Sequence, residues 1–388
     1  MTKQWRPYGR QCIDEHDINA VVDVLRSDWL TTGPQIPAFE EAFAKQVDAR
    51  HAVAVNSGTA ALHAAMNVIG IGNGDEVLVP ALTFAATANC VVYQGGTPVF
   101  VDVDPDTLLI DIDDAEAKIT SRTKAIVAVD YAGQPCDYNK LHALAEQFKL
   151  TLIADSCHSL GGSYQDKPVG TLAKLNTFSL HPVKPITSGE GGMITTDDGQ
   201  LAERMRQFRN HGITTDHRQR ERSGNCYYDM VSLGYNYRMT DLQAALGRSQ
   251  LAKLSDWTRR RNEIAEHYDE LLGGIEQVSS LRKQPDVRHA YHLYVIKSES
   301  PELRDFLFTA LRSAQIGVTV HYRPVHLHPY YEKTFGTKPG LCPVAEDAGT
   351  RILSLPIYPA LTNDDVKNIV SIMTQCIENY MESTVTLS

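Results

Sequence analysis

The sequence predicts an α/β fold in which a mostly parallel, seven-stranded sheet lies between helices and a smaller α/β lobe follows. Over the first two thirds of the chain, short apolar runs alternate with amphipathic helical stretches, a pattern typical of parallel sheets. One long helical stretch comes next, and beyond it strands and helices resume. The 388 residues, of which 43% are hydrophobic, can bury a large core without disulfides or a structural metal.

The first lobe contains seven apolar runs that have the length of buried strands. They are Ala52–Val55, Glu76–Pro80, Pro98–Val103, Ala125–Asp130, Thr151–Asp155, Asn176–Leu180 and Met193–Thr196. The helical stretches between them are Thr59–Val68, Thr83–Tyr93 and Tyr138–Phe148. The polar segment Asn210–Tyr228 is predicted to be a solvated loop, of a kind that often covers an active site.

A single long helix is predicted from Thr240 to Leu272, because its large apolar residues fall near one face at helical spacing. This helix links the two lobes, which we expect to span residues 1–250 and 251–388. In the second lobe the predicted strands are Tyr291–Lys297 and Val318–Tyr322, and the predicted helices are Pro301–Ala314 and Asn363–Met381.

Charge and cysteine content exclude several classes of protein. The formal net charge of -10 argues against a general nucleic-acid binder, which would normally be basic. The seven cysteines are scattered and form no CxxC pair, which predicts reduced thiols in a cytoplasmic protein and no zinc ribbon or other metal site. No apolar run is long enough to span a bilayer, so no membrane partner is expected.

The most unusual stretch of the chain surrounds Lys184, which lies between two prolines and shortly before a glycine cluster. Prolines fix the backbone, and glycines allow other groups to approach closely. A lone lysine is usually a solvated surface residue. A lysine that forms a Schiff base, however, must be held in place and partly desolvated, and this loop offers that setting.

Two further features fall at predicted strand ends. Asp155 ends the apolar run that begins at Thr151, where it is either a turn former or a carboxylate for a ligand such as the ring nitrogen of pyridoxal phosphate. The stretch Val55–Leu62 runs from a strand through small residues into a helix, where free N–H groups could bind a phosphate. Together with Lys184 these features could converge on one edge of the sheet.

These residues lie within motifs that resemble the sugar aminotransferases of the DegT/DnrJ/EryC1/StrS family, and the resemblance extends from Pro7 to about Pro359. The motifs are Asn56–Ala61, Thr83–Asn89, Asp155–His158, Ser179–Gly192, Gly234–Arg238 and His321–Pro324. The resemblance implies a fold-type I transaminase that depends on pyridoxal 5'-phosphate. Segments Ser27–Gly33 and Val129–Gln134 are most similar to the branch of the family that acts in pseudaminic acid biosynthesis. His158, where many members have glutamine, also favours that branch.

The resemblance also implies roles for individual residues. Lys184 would form the internal aldimine, Asp155 would pair with the pyridinium nitrogen, and His158 would contact the side of the cofactor ring. Phe84 would stack on the ring, and Gly58, Thr59 and Ser179 would hold the phosphate. Asn236 would reach the phosphate in the partner subunit, so the active unit would be a homodimer with shared sites. The residues implied for the sugar nucleotide are Tyr8, Asp28, Trp29, Leu30, Thr31, His321, Tyr322 and Arg323. Arg238 is implied either as a structural residue or as a partner of the glutamate carboxylate.

The expected reaction moves the amino group of L-glutamate to C4 of a UDP-linked 4-keto-6-deoxy-N-acetylhexosamine. The expected product is UDP-4-amino-4,6-dideoxy-N-acetyl-β-L-altrosamine. Alternatives are a transaminase for a D-configured, bacillosamine-type sugar and, more distantly, a 4-amino-arabinose-type enzyme. A sugar 3-dehydratase would have histidine in place of Lys184, and a non-catalytic regulator would be expected to lose Lys184 or Asp155.

Overall fold

The computed structural model describes residues 5–215, 220, 224 and 226–385, and thirteen strands are found in this part of the chain. They are β1 His51–Val55, β2 Glu76–Pro80, β3 Thr97–Val101, β4 Thr123–Val129, β5 Thr151–Asp155, β6 Ser163–Tyr164, β7 Lys167–Pro168, β8 Leu175–Ser179, β9 Gly192–Thr196, β10 Val278–Ser280, β11 Val287–Arg288, β12 Tyr294–Ser298 and β13 Ile352–Leu355.

Seven of these strands form the large sheet, in the order β1-β9-β8-β5-β4-β2-β3. The pairs β2–β3, β2–β4, β4–β5 and β5–β8 are parallel, whereas β9 runs antiparallel to both of its neighbours. The strands in the middle of the sheet are buried on both faces, as expected when helices cover a parallel sheet. The predicted mostly parallel α/β sheet is therefore confirmed.

Helices connect and cover these strands. They are α1 Glu15–Leu25, α2 Gln35–Gln46, α3 Gly58–Val68, α4 Ala86–Tyr93, α5 Ile112–Ala117, α6 Tyr138–Phe148, α7 Gly199–Phe208, α8 Asp241–Leu251, α9 Leu254–Leu272, α10 Pro301–Ser313, α11 Pro329–Phe335, α12 Pro343–Arg351 and α13 Asn363–Val385. Among the described residues, no helix combines the length and the apolar character needed to cross a bilayer.

The hydrophobic side chains form two clusters. The first surrounds the large sheet and also takes in residues from beyond position 250, among them Leu254, Leu293 and Val325. The second joins α9, α10 and α13 to the three-stranded antiparallel sheet β10-β12-β13. The division of the chain at residue 250 stays a prediction.

Two predicted elements differ from those observed. The stretch Thr240–Leu272 forms two helices, because α8 ends at Leu251 and α9 begins at Leu254. The predicted strand Val318–Tyr322 is wrong: Thr319 makes only an isolated bridge to Ser354, and the chain then turns towards the large sheet, where the Tyr131 hydroxyl donates to the carbonyl of His321. Part of the predicted loop Asn210–Tyr228, residues 216–219, 221–223 and 225, lies outside the described residues.

Candidate active site

One edge of the large sheet carries a cavity of about 590 Å³, which is within the usual range for small-molecule sites. Strands β5 and β8 are parallel, so Asp155 and Ser179 at their carboxyl ends lie on the same edge. Ten of the predicted site residues line this cavity. They are Tyr8, Gly58, Thr59, Phe84, Asp155, His158, Ser179, Lys184, His321 and Tyr322.

Asp155 is a buried carboxylate held at two points. Its Oδ2 accepts a hydrogen bond of 2.8 Å from the hydroxyl of Thr87, and its Oδ1 accepts one of 3.2 Å from the backbone N–H of Cys157. The Thr87 hydroxyl in turn lies 2.8 Å from that of Thr83. A carboxylate has about four lone-pair positions, so Asp155 can still accept a further hydrogen bond from within the cavity.

The turn where β1 leads into α3 has the features of an anion site. Ser57 caps the helix by accepting from the N–H of Ala60 at 3.1 Å, while the N–H groups of Gly58 and Thr59 lie in the first turn, where a helix supplies no acceptor. A Cβ on Gly58 would come within 2.8 Å of Cβ of Ser179. Glycine at this position thus lets the Ser179 side chain approach the helix start, which carries a partial positive charge.

Lys184 lies in a tightly closed loop between β8 and β9. Its N–H donates to the carbonyl of His181 at 2.9 Å, and both Thr187 Oγ1 and Ser188 N donate to the carbonyl of Leu180. Desolvation lowers the pKa of the Lys184 amine, against the opposing influence of Cys157 and Asp155. A lysine with a lowered pKa has a larger uncharged fraction, and the uncharged amine is the nucleophile.

Aromatic side chains form another part of the cavity lining. The Tyr322 hydroxyl lies 3.1 Å from Nε2 of His158, and the rings of Tyr322 and Phe84 are 6.0 Å apart. Nδ1 of His321 lies 2.9 Å from the hydroxyl of Ser354, and the Tyr8 ring is 5.1 Å from that of His321. Desolvation lowers the pKa of His158 well below its ordinary value and that of His321 to about 3, so both imidazoles are neutral near neutral pH.

Several predicted residues do not line this cavity. Asn236 is exposed, and its carbonyl accepts from Nδ2 of Asn56 at 3.4 Å. Asp28, Trp29, Leu30 and Thr31 are also exposed, beside the start of α8, where the carbonyl of Leu30 accepts from the N–H of Asp241. Arg323 points its guanidinium at the carbonyl of Leu327.

Arg238 belongs to a separate cavity of about 500 Å³ that Arg206 and Arg209 also line. Its Nη1 donates to Oδ1 of Asn210 at 2.7 Å. This bond supports the structural alternative for Arg238, because its guanidinium is already engaged within the chain.

Cavity residues that the sequence analysis did not find include Thr87, Cys157 and His292. Thr87 lies within a motif that was singled out only for Phe84, and nothing in its sequence context marks it as a partner of Asp155. His292 falls in a stretch predicted to be a strand of the second lobe. Its position in the cavity is a consequence of the packing of its segment against the large sheet, where the N–H groups of Ala290 and Leu293 donate to the carbonyls of Gly133 and Ala132.

The model of the DegT/DnrJ/EryC1/StrS aminotransferase family matches residues 11–374 of the chain. The chain belongs to this family. Across 389 residues it is 37% identical to the UDP-4-amino-4-deoxy-L-arabinose–oxoglutarate aminotransferase of Shewanella sediminis, which corresponds to 98% of this chain and 100% of that protein.

Two solved structures are similar to this aminotransferase over nearly its whole length. The sugar aminotransferase Spr1654 of Streptococcus pneumoniae, described as putative and solved in PLP and PMP forms, has a TM-score of 0.91 and 32% identity; the PLP form covers 97% of this chain and 99% of its own. Helicobacter pylori PseC, an aminotransferase of pseudaminic acid biosynthesis, has a TM-score of 0.91 and 33% identity and covers 97% of this chain and 100% of its own.

The family aminotransferases depend on pyridoxal phosphate, and the cavity of this member fits that cofactor. The first turn of α3 with Ser179 suits the phosphate, and Asp155 has acceptor capacity left for a ring N–H. Lys184 supplies a desolvated amine within the same cavity. The protein is therefore a PLP-dependent sugar aminotransferase of fold type I.

Proposed function

We propose that this enzyme transfers the amino group of L-glutamate to C4 of a UDP-linked 4-keto-6-deoxy-N-acetylhexosamine. The proposed product is UDP-4-amino-4,6-dideoxy-N-acetyl-β-L-altrosamine, an intermediate of pseudaminic acid biosynthesis. The observation that carries the transaminase chemistry is the convergence of Lys184, Asp155 and the first turn of α3 on one cavity. The similarity to PseC over nearly the whole chain and the presence of His158 support the choice of sugar.

Lys184 and Asp155 have complementary roles in this proposal. When bound, pyridoxal phosphate supplies an electron sink for the carbon that gains or loses the amino group. Lys184 would hold the cofactor through its amine, and its free Nζ would take up and give back a proton at the substrate carbon. Asp155, fixed by Thr87 and by the N–H of Cys157, would accept a hydrogen bond from the proton-bearing nitrogen of the cofactor ring.

Other residues of the cavity orient the cofactor and the sugar. These residues line the cavity: Gly58, Thr59 and Ser179 would bind the phosphate at the start of α3, and Phe84 and His158 would hold the ring. Tyr8, His321 and Tyr322 line the same cavity and would contact the sugar. Arg323 remains our candidate for the diphosphate, since a guanidinium binds phosphate oxygens well.

We propose a homodimer with shared sites. Asn236 is exposed and lies outside the cavity of its own chain, near a row of exposed apolar side chains. These are Tyr227, Tyr228, Met230, Val231, Leu233 and Tyr235. A row of this kind marks an interaction surface, and a second copy that covers it would bring Asn236 to the partner's phosphate site. Asp28 to Thr31 lie beside the start of α8, so they would approach the same partner site.

A cytoplasmic location is proposed on the basis of the cysteines. All seven are free thiols, a state that reducing compartments maintain.

The identity of the substrate is tested through the visible absorbance of the cofactor. The purified protein is loaded with pyridoxal phosphate, UDP-4-amino-6-deoxy sugars are added one at a time, and the visible band of the lysine-bound cofactor is followed. We expect the L-altro isomer to bleach the band as the reaction runs backwards. Bleaching by the D-gluco isomer alone would show that the enzyme makes a bacillosamine-type sugar. Bleaching by a 4-amino-arabinose nucleotide alone would show that it is a 4-amino-arabinose-type enzyme. No bleaching by any of these sugars would reject the substrate class.

The shared site is tested by mixing an inactive variant with one that retains the cofactor weakly. Lys184→Ala should abolish turnover and the visible band, and Asn236→Ala should weaken retention of the cofactor. In a mixed dimer of the two variants, one site combines Lys184 of one subunit with Asn236 of the other and is intact. Activity should therefore return in the mixture and be absent from Lys184→Ala alone. Failure to recover activity in mixed dimers verified by mass would contradict the shared site.

A further inference from the structure

His292 lies next to Lys184 although the two residues are 108 positions apart in the sequence. Its Nε2 is 3.5 Å from Nζ of Lys184, at the long limit of a hydrogen bond, and catalytic hydrogen bonds often tighten only when the substrate binds. The ring is 4% exposed and lines the cavity. Its Nδ1 has no hydrogen-bond partner among the residues that the structure describes.

The backbone around His292 is anchored to the large sheet. The N–H groups of Ala290 and Leu293 donate to the carbonyls of Gly133 and Ala132, just beyond the end of β4, at 2.8 Å and 3.1 Å. Gly133 has a φ of +106°, and a Cβ at this position would come within 2.9 Å of the N of His292. This close packing fixes the backbone position from which the His292 side chain reaches Lys184.

A buried arginine strengthens this anchor from the side of the second lobe. Nη1 of Arg261 on α9 donates to the carbonyls of Tyr291 and Ile357, each at 3.0 Å. The residue before His292 is therefore tied to two parts of the small lobe, while its neighbours are tied to the large sheet.

The rings around Lys184 are not equivalent as hydrogen-bond acceptors. Nε2 of His158 already faces the Tyr322 hydroxyl, and Nδ1 of His321 faces Ser354. Nε2 of His292 faces the lysine amine. Desolvation, with a smaller contribution from Lys184, lowers the pKa of His292 well below its ordinary value, so the imidazole is neutral and offers a lone pair.

We propose that His292 is a positioning residue for Lys184, in which the neutral Nε2 accepts a hydrogen bond from Nζ and holds the free amine at one wall of the cavity. In that place the amine can take and return a proton each time it is released from the cofactor. The inference rests on the role proposed above for Lys184, but the contact itself can be tested without the cofactor.

The first test measures the pKa of the Lys184 amine in the cofactor-free protein by competitive acetylation and mass spectrometry. An acceptor stabilises the charged ammonium, so its loss should lower this pKa. His292→Phe keeps a ring but no acceptor, and we expect a fall on the order of one pKa unit. His292→Gln keeps an acceptor and should restore most of the wild-type value.

The matched control is His289→Gln in the same segment. His289 is also buried, stacks on Tyr291 and accepts from the N–H of that residue at 2.8 Å, but it does not line the cavity. We expect the pKa of Lys184 in the His289→Gln variant to equal that in the wild type. An equal fall in His289→Gln and His292→Phe would show that displacement of the segment is responsible, and it would overturn the proposal.

The second test uses the loaded enzyme with glutamate in single turnovers. His292→Phe should slow the amino-transfer step by about tenfold or more, with glutamate affinity unchanged, and His292→Gln should recover part of the rate. An unchanged rate together with an unchanged Lys184 pKa in His292→Phe would refute the positioning role.

A measurement on the wild type covers the case in which a variant does not fold. Nitrogen chemical shifts of ¹⁵N-labelled histidine give the tautomer of His292 in the cofactor-free protein. We expect the proton on Nδ1, which leaves Nε2 as the acceptor, and a proton on Nε2 would overturn the proposal. If Lys184→Ala retained turnover, the proposed function would fail. The tautomer of His292 and the pKa of Lys184 would still show whether the hydrogen bond between His292 Nε2 and Lys184 Nζ exists.

Discussion

Two buried carboxylates lie at the ends of neighbouring strands, and their surroundings differ. Asp130 follows β4, and both of its oxygens are fully engaged by the protein. The donors are the N–H of Cys136 and the hydroxyls of Tyr138, Ser156 and Ser159. Asp155 ends β5 and lines the cavity, and among the described residues its oxygens accept from the Thr87 hydroxyl and the N–H of Cys157. The number of donors that the protein supplies therefore separates a structural carboxylate from one that is available to a ligand.

The two acids are also connected. Ser156 and Ser159 belong to the turn that carries Asp155 and His158, and both hydroxyls donate to Asp130. Asp130 thereby fixes the turn through these two serines, while Asp155 faces the cavity. The structural acid supports the geometry of the functional one.

The largest expected effect comes from Asp155→Asn. The amide has nearly the same shape but carries no charge to hold a proton on the cofactor nitrogen. We expect kcat/KM to fall by at least about 10²-fold, with little change in Tm. The control is Asp130→Asn, which should keep kcat/KM within a few-fold of the wild type. Equal losses of activity in both variants would contradict the assignment of Asp155 to the ligand and of Asp130 to the structure.

A smaller effect is expected when Asp155 loses one of its two donors. Thr87→Val removes the hydroxyl that binds Oδ2 and leaves the carboxylate less firmly held, so kcat/KM should fall by about tenfold. Thr83→Val is the matched control, since Thr83 reaches Asp155 only through Thr87, and it should lose less activity. A greater loss in Thr83→Val than in Thr87→Val would contradict this order.

The smallest effect concerns the pH dependence of stability. Burial raises the pKa of Asp130 to about 6, above its value in the unfolded chain, so the folded protein binds this proton more tightly. The resulting stabilisation is present below the unfolded pKa and is lost as the pH rises through about 6.

Asp130→Asn lacks this titration but keeps hydrogen bonds, because the serine hydroxyls can accept from its amide. Between about pH 5 and about pH 7, the Tm of the variant relative to the wild type should therefore rise by about 1–2 °C. Parallel Tm profiles for the two proteins would show that Asp130 does not titrate in this range.

Local patterns in the sequence predicted much of the fold. The strands Glu76–Pro80 and Thr151–Asp155 and the helix Tyr138–Phe148 have their predicted bounds in the structure. Each of these elements is marked by an apolar run or by amphipathic periodicity, which are local properties. The isolated bridges near Thr319 could not be predicted in this way, because an apolar run looks the same whether or not a partner strand is available.

The sequence by itself determined the α/β alternation, the rigid loop around Lys184, the acid at the end of β5 and, through the family motifs, the class of enzyme. Only the tertiary structure decided which strand-end acid faces the cavity, since Asp130 and Asp155 both follow apolar runs. It also decided that Thr87 supports Asp155 and that His292 lies beside Lys184, contacts that join residues 68 and 108 positions apart. Local patterns report on neighbours along the chain, whereas donors, acceptors and burial depend on how distant segments pack.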